Sequence, residues 1–184
     1  MTDKIDLPTQ SLETAADDIK PTLKGIHKKF GKIPNIVGAM ANAPVTLQNY
    51  AAIGVNFAQA GFKPIEQQII FLAISVENDC DYCTAAHSTA LKRGFKLPAE
   101  IVAATRDKAP SGEAKYDALI ATVRELVARK GYLAVETREA FFAAGYTQTQ
   151  LIDLLSAIAM KTLTNYLDHL ADVPLDPAYA AESV

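Results

Sequence analysis

The only two cysteines of this chain, Cys80 and Cys83, are separated by two residues, and His87, one of three histidines, follows four positions later. On an α-helix, positions i, i+3 and i+7 share one face, so the three side chains are predicted to converge. A thiol that a hydroperoxide oxidises to a sulfenic acid condenses with a second thiol to a disulfide. An external dithiol can then reduce that disulfide by exchange. The spacing therefore predicts a redox site.

The position of the pair along its helix favours a reactive thiol. Asn78 and Asp79 interrupt an apolar stretch, and either residue can cap a new helix whose first turn begins at Cys80. The unpaired N–H groups and the positive dipole end of a first turn favour a thiolate. His87, one turn beyond Cys83, can take the proton of that thiol or hold the thiolate as an ion pair.

Two further side chains near the pair could take part in proton transfer. Tyr82 lies between the cysteines and carries a phenolic hydroxyl, so it is a candidate proton donor. Glu77 precedes them; its negative charge raises thiol pKa values, although it could also orient the imidazole.

The rest of the chain shows helical periodicity almost throughout, and no alternating run bounded by hairpin turns. Helices are predicted at 11–20, 22–30, 36–40, 44–60, 65–77, 80–93, 98–104, 115–130, 136–144 and from 147 onward, where Thr147 and Gln150 fit a capping box. The helix at 65–77 is apolar nearly all round, which predicts an interior position. The sequence therefore predicts an all-α fold.

Bulk properties limit the classes of function. The length fits one domain spanning residues 1–184. A net charge of −3 gives no electrostatic reason to expect nucleic acid or an anionic membrane as a partner. The start lacks the layout of a secretion signal, and no apolar run reaches the ~18 residues of a membrane span. We expect a cytoplasmic protein, in which a close cysteine pair is typically catalytic or metal-binding.

Two alternatives to redox chemistry exist for the pair. Two thiolates and a histidine supply the three protein ligands of a catalytic zinc site, but a structural site needs four. Neither His27 nor His169 has a second ligand at suitable spacing. The cysteines could also be small buried apolar residues. We expect neither a metal nor a cofactor.

The segment from Ile65 to His87 resembles the core of the AhpD-like alkylhydroperoxidases of the carboxymuconolactone decarboxylase superfamily, above all its peroxidase-related branch. Similar stretches occur at 31–35, 143–146 and 165–169, so the resemblance covers about residues 20–176. It implies an AhpD-like helical bundle with the CxxC motif at a helix N-terminus, a buried cleft at the redox helix, and assembly as trimers or hexamers.

The resemblance also implies roles for the cysteines: Cys83 attacks the peroxide and Cys80 resolves it. Family members carry a glutamate twelve residues before the first cysteine, where this chain has Gln68. Gln68 can orient a water or His87 by hydrogen bonding, but it cannot carry a proton at neutral pH. Glu77 is the candidate substitute. Tyr82 occupies a position that is histidine in the best-known members.

These observations predict a thiol-dependent (alkyl)hydroperoxide reductase or dithiol–disulfide oxidoreductase of antioxidant type. Its expected partners are a hydroperoxide substrate, an unidentified dithiol reductant and further copies of the chain, because several helices are apolar on more than one face. One alternative is a decarboxylase-like non-redox enzyme on the same scaffold. Another is a helical module that binds a metal or a partner.

Overall fold

The computed structural model describes residues 4–183. Within that range the protein consists of a non-helical segment up to residue 19, followed by helices joined by turns, with no β-strand. The α-helices are α1 Lys20–Phe30, α2 Asn35–Met40, α3 Pro44–Phe57, α4 Pro64–Glu77, α5 Asp81–Thr89, α6 Ala99–Arg106, α7 Ala114–Ala128, α8 Val135–Ala143 and α9 Gln148–Ala171. A π-helical turn, Ala90–Gly94, follows α5, and a 3₁₀ helix, Pro177–Glu182, follows α9. Over the described residues, no helix combines the length and the apolar character that a membrane crossing requires. The all-α fold is confirmed.

Helix α4 forms the interior of the bundle, as its all-round apolar pattern predicts. It contacts α5, α6, α7 and α9. Ile69, Ile70, Leu72 and Ile74 are at most 1 % exposed, although they point in different directions around the helix. Burying a side chain of this size stabilises the fold by roughly 1.5–3 kcal/mol. Because α4 is buried on all sides, it is a rigid support for α5, which follows it.

The long helix α9 runs beside α3 and α4 and also contacts α5. The predicted capping box is confirmed: the Gln150 backbone N–H donates to Thr147 Oγ1 at 3.2 Å, and the Thr147 N–H donates to Gln150 Oε1 at 2.9 Å. The buried face of α9 is unusual because it carries polar residues. Lys161, Thr164 and Asn165 are each at most 3 % exposed.

The corner between α4 and α5 is tied to α9 by hydrogen bonds. Asp79 turns the chain with a positive φ of 52°, a conformation that aspartate tolerates better than most residues. Asn78 Nδ2 donates to Asn165 Oδ1 at 3.0 Å, and the His169 ring lies 3.2 Å from the Asp79 carbonyl oxygen. These bonds set where α5 begins relative to α9.

The chain after α9 folds back across α5, and we call residues 172–183 the C-terminal strap. Its anchor is the buried carboxylate of Asp176, which accepts hydrogen bonds from Lys32 Nζ at 2.7 Å, from the Asn35 backbone N–H at 3.0 Å and from the Tyr82 hydroxyl. The strap thereby joins the start of α2 to the first turn of α5.

Some predicted helix boundaries are wrong. The helix predicted at 11–20 does not form, and α1 instead begins at Lys20 with Pro21 in its first turn. Proline is favoured there because the first N–H groups of a helix have no intrahelical partner. Helix α3 ends at Phe57 rather than at 60, and α5 gives way to the π-helical turn after Thr89.

We predict that Asp176→Asn destabilises the protein at neutral pH by about 1–3 kcal/mol, because buried donors lose a charged acceptor. Burial opposes the charged form of Asp176, but the hydrogen bonds from Lys32 and Tyr82 outweigh it and hold the pKa of this carboxyl below its ordinary value. A depressed folded-state pKa stabilises the fold above the unfolded-state value, about 4, and that contribution is lost as the pH falls further.

Urea unfolding of the unchanged protein and of Asp176→Asn, at pH values from 7 to 3, measures the difference in their free energies of unfolding. The exposed pair Asp17–Lys20 supplies the control, since Asp17→Asn should leave the free energy of unfolding nearly unchanged. An equal loss of stability in Asp176→Asn at pH 7 and pH 3 would contradict the assignment.

Candidate active site

Cys80 occupies the N-cap position of α5, and Cys83 is the third residue of that helix. The Cys83 backbone N–H donates to Cys80 Sγ at 3.4 Å, so the first cysteine caps the helix that carries the second. Neither Asn78 nor Asp79, the predicted caps, holds that position. Both thiols are unbridged, and the residues are 1 % and 2 % exposed.

The two thiols differ strongly in acidity. A hydrogen bond from the Cys80 thiol, the charge of Lys161 and hydrogen bonds from Thr164 and Lys161 lower the pKa of Cys83 to about 6, although burial opposes this. The pKa of Cys80 is raised far above its ordinary value by its hydrogen bond to Cys83, by burial and by the Cys83 charge. At pH 7, Cys83 is therefore mainly a thiolate and Cys80 a thiol.

Lys161 supplies the positive charge of the site. It lies on the buried face of α9 and is 3 % exposed, which is rare for a lysine unless a negative group pairs with it. A lone lysine in the apolar run from Leu151 to Leu163 is the signal by which the sequence could have marked it. Thr164, one turn further along α9, adds a neutral hydrogen bond to the same sulfur.

His87 lies on α5 with its ring half-enclosed between α4 side chains. Its Nδ1 is 2.9 Å from Gln68 Oε1, and its ring centroid is 5.3 Å from that of Phe71. Burial and the charge of Lys161 lower the pKa of His87 well below its ordinary value, so the imidazole is neutral at pH 7. Because the carbonyl oxygen of Gln68 accepts the Nδ1 proton in this arrangement, Nε2 keeps a free lone pair.

Lys161 rather than His87 is therefore the cation that pairs with the thiolate. The neutral ring of His87 is suited to accept and pass on a proton. Gln68 lies where it can orient that ring by hydrogen bonding.

The structure does not bring Tyr82 and Glu77 together with these groups. Although Tyr82 lies between the cysteines in sequence, its hydroxyl donates to Asp176 under the C-terminal strap and accepts from the Ile36 N–H at 3.3 Å. The Glu77 carboxylate pairs instead with Arg124 and Lys108, at 3.3 and 3.4 Å. Both side chains support neighbouring helices in this arrangement.

Three residues that no sequence pattern marks complete the surroundings. Asp168 on α9 lies with Oδ2 3.4 Å from Cys80 Sγ. Tyr50 on α3 and Tyr179 on the strap lie near Cys83. Burial is the main cause that raises the pKa of each phenol; the Cys83 charge adds to it, and for Tyr179 the charge of Lys32 opposes the shift. These residues are far from the motif in sequence, and only the packing of α3, α9 and the strap around α5 brings them close.

Within residues 4–183, no group of three or more histidine, cysteine, aspartate and glutamate side chains is arranged to hold a metal ion. Cys80, Cys83 and His87 accordingly do not form a three-ligand zinc set. What the arrangement supplies is a nucleophilic thiolate, a second thiol beside it, a fixed positive charge and a neutral imidazole.

The fold and part of the sequence are similar to those of known proteins. Residues 46–124 match the sequence profile of the carboxymuconolactone decarboxylase family. A similar solved structure is described as the alkylhydroperoxidase AhpD core of an uncharacterized peroxidase-related protein from Ralstonia eutropha JMP134. It has 21 % sequence identity and a TM-score of 0.78, over 94 % of this chain and 92 % of that one. A peroxidase-related protein from Silicibacter sp. TM1040 has 17 % identity and a TM-score of 0.79, over 97 % and 94 %.

The same fold also occurs in the debrominase Bmp8, at 17 % identity and a TM-score of 0.79, over 99 % of this chain and 97 % of that one. A cysteine-to-alanine variant of that protein has been solved in complex with 2,3,4-tribromopyrrole. No curated protein sequence matches the chain. Residues 46–124 thus match the carboxymuconolactone decarboxylase family, and the chain as a whole has the AhpD-like fold of these structures, with the cysteine pair at the start of α5.

Proposed function

We propose that this protein is a thiol-dependent (alkyl)hydroperoxide reductase, in which Cys83 attacks the peroxide, Cys80 resolves the product to a disulfide and His87 relays protons. The observation that carries this proposal is the pair of unlike thiols. The pKa of Cys83 is lowered to about 6 by a hydrogen bond from Cys80, whose own proton is held tightly. A nucleophile and a resolving thiol are the minimum that such a cycle needs.

In the first step the Cys83 thiolate attacks the terminal peroxide oxygen and the O–O bond breaks. The sulfur is oxidised to a sulfenate, the peroxide is reduced to an alcohol, and the proton of the hydroperoxide moves to the leaving alkoxide. His87 Nε2, which has a free lone pair, can relay that proton. The Lys161 charge that stabilises the thiolate is also placed to stabilise the sulfenate.

In the second step the sulfenate takes a proton from solvent to become a sulfenic acid, Cys80 attacks the sulfur of Cys83, the S–O bond breaks and water leaves. Reduction by an external dithiol then returns both thiols by two exchanges, and the donor is oxidised to its own disulfide. A site that must be reduced after each turnover fits a compartment that keeps thiols reduced, so we propose a cytoplasmic location.

Two other uses of the scaffold remain candidates. A shared fold with a debrominase makes a halogenated aromatic ring a second class of substrate for the same thiolate. A non-redox reaction, as in a decarboxylase, would not need the cysteines. Activity that survives the double change Cys80→Ser/Cys83→Ser would favour the non-redox alternative.

We also propose that the protein is a homo-oligomer, a trimer or hexamer. One face of α9 exposes Ile152, Leu155, Tyr166 and Leu170, each more than half exposed. Their intervals of three, eleven and four positions place them on one side of the helix, where another helix can pack. A second copy of the chain would remove this apolar face from water.

After one equivalent of hydroperoxide, the unchanged protein and the two single cysteine-to-serine variants should give different products. In the unchanged protein we expect a Cys80–Cys83 disulfide, visible by intact mass as the loss of two hydrogens. Cys83→Ser should consume no peroxide, because the nucleophile is gone. Cys80→Ser should complete one turnover and accumulate a sulfenic acid on Cys83 that dimedone traps. Sustained turnover by Cys83→Ser would refute the proposed function.

Lys161→Met should raise the pKa of Cys83 by about one unit or more, because an opposite charge close to a thiolate stabilises it by that amount. The rate of alkylation by iodoacetamide as a function of pH measures this, with a midpoint near pH 6 expected for the unchanged protein. Lys24→Met removes a lysine from the exposed face of α1 and should leave the midpoint unchanged. Equal midpoints in all three proteins would show that Lys161 does not tune the thiol.

Light scattering after size exclusion tests the assembly. The unchanged protein should elute with a multiple of the monomer mass, and Tyr166→Glu should shift it toward the monomer, because a charge would enter an apolar contact. Glu136→Lys, a charge change on exposed α8, is the control. A monomer mass for the unchanged protein at micromolar concentration would count against the assembly.

A further inference from the structure

The carboxylate of Asp168 lies beside the resolving sulfur. It lies on α9, one turn beyond Thr164, and its Oδ2 is 3.4 Å from Cys80 Sγ. Since an ionised carboxylate only accepts hydrogen bonds, the Cys80 thiol is the donor in this contact. The residue is half-buried at the point where α9 passes the first turn of α5.

The single hydrogen of the Cys80 thiol has two acceptors within reach. In the resting protein the Cys83 thiolate is one of them, and this hydrogen bond is the largest cause of the low pKa of Cys83. The Asp168 carboxylate is the other. Once Cys83 is oxidised or carries a disulfide-bonded group, its sulfur no longer bears the thiolate charge. Asp168 is then the better acceptor.

We propose that Asp168 is the catalytic base of the resolving step, taking the proton of Cys80 as that sulfur attacks the oxidised Cys83. The inference rests on the proposed function. In the step an S–S bond forms and the S–O bond of Cys83 breaks; the Cys80 sulfur is oxidised and the Cys83 sulfur is reduced. The proton of Cys80 moves to Asp168, and the departing hydroxide takes a proton from solvent to become water. Reduction of the disulfide returns the proton from Asp168 to Cys80.

The surroundings of Asp168 support this role. A cavity of about 260 Å³ borders it. Because Cys80 itself is only 1 % exposed, the Asp168 carboxyl provides a link between the Cys80 sulfur and solvent. Burial raises the pKa of Asp168 above its ordinary value, although its contact with Cys80 and the charges of His169 and Lys4 oppose this. A carboxyl that protonates more readily than a surface aspartate can hold the proton until the disulfide is reduced.

Charged groups from three elements share this cavity with Asp168. They are Lys4 from the N-terminal segment, Asp79 and Asp81 from the α4–α5 corner, and His169 and Asp172 from the end of α9. Asp172 pairs with Lys4 at 2.7 Å and is largely exposed. It therefore offers a matched control: a carboxylate in the same cavity that makes no contact with the sulfur.

The resolving step can be timed without any peroxide. The chromogenic disulfide dithiobis-nitrobenzoate releases one coloured thiolate when Cys83 attacks it and a second when Cys80 attacks the mixed disulfide on Cys83. In a stopped-flow measurement, Asp168→Asn should slow the second release by about a hundredfold at pH 7, the usual contribution of a general base. The first release should keep its rate.

The pH dependence separates a base from a structural support. In Asp168→Asn the rate of the second release should rise steadily with pH, because hydroxide must then remove the proton of Cys80. Asp168→Glu should restore the wild-type form of the profile, and Asp172→Asn should leave both releases unchanged. If Asp168→Asn does not fold, Asp168→Ser, which is smaller and also unable to accept the proton, takes its place.

A second release with the wild-type rate and pH profile in the Asp168 variant overturns the inference. Its failure is distinct from that of the proposed function. The unchanged protein could show both releases, and Asp168→Asn could slow the second one, while the unchanged protein consumes no cumene hydroperoxide. That result would support Asp168 as the base and refute the peroxidase function.

Discussion

The pairing of a buried ammonium with a buried thiolate is the interaction on which the site depends. Either charge alone, removed from water among apolar helices, would cost several kcal/mol. Together with the hydrogen bonds from Cys80 and Thr164, Lys161 lowers the pKa of Cys83 to about 6 despite burial. Burial, together with the same positive charge, keeps His87 neutral. One lysine therefore contributes to the protonation states of two other groups.

This dependence explains why α9 matters as much as the helix that bears the cysteines. The thiolate is on α5, whereas its counter-charge, a hydrogen-bond donor and the neighbouring carboxylate Asp168 are all on α9. The distance between the two helices is set at the corner that joins α4 to α5, where Asn78 binds Asn165 and His169 contacts Asp79. A small displacement at this corner would therefore weaken the ion pair between Lys161 and Cys83, even with Cys80, Cys83 and His87 unchanged.

The parts that sequence could predict are those encoded within one element. The helical period, the capping box at Thr147 and the face shared by Cys80 and Cys83 are local, and they agree with the structure. The sequence shows Lys161 only as a lone lysine in an apolar helix and gives no sign of Asp168, because the roles of both depend on which face of α9 meets α5. Tyr82 illustrates the opposite problem: it is adjacent in sequence, but its position on the helix turns its hydroxyl toward Asp176.

The same balance of charges explains why a neutral glutamine suits position 68. The buried centre holds one negative sulfur and one positive nitrogen, and a neutral amide at Gln68 orients His87 at 2.9 Å without adding a charge. A glutamate at this position would bring a second negative charge into a site with a single cation, and it would favour protonation of the imidazole. This chain instead carries a nearby carboxylate on α9, Asp168, which contacts the resolving thiol of Cys80. The carboxyl that exchanges a proton therefore lies beside Cys80, whose proton must be removed, and not beside the nucleophile Cys83.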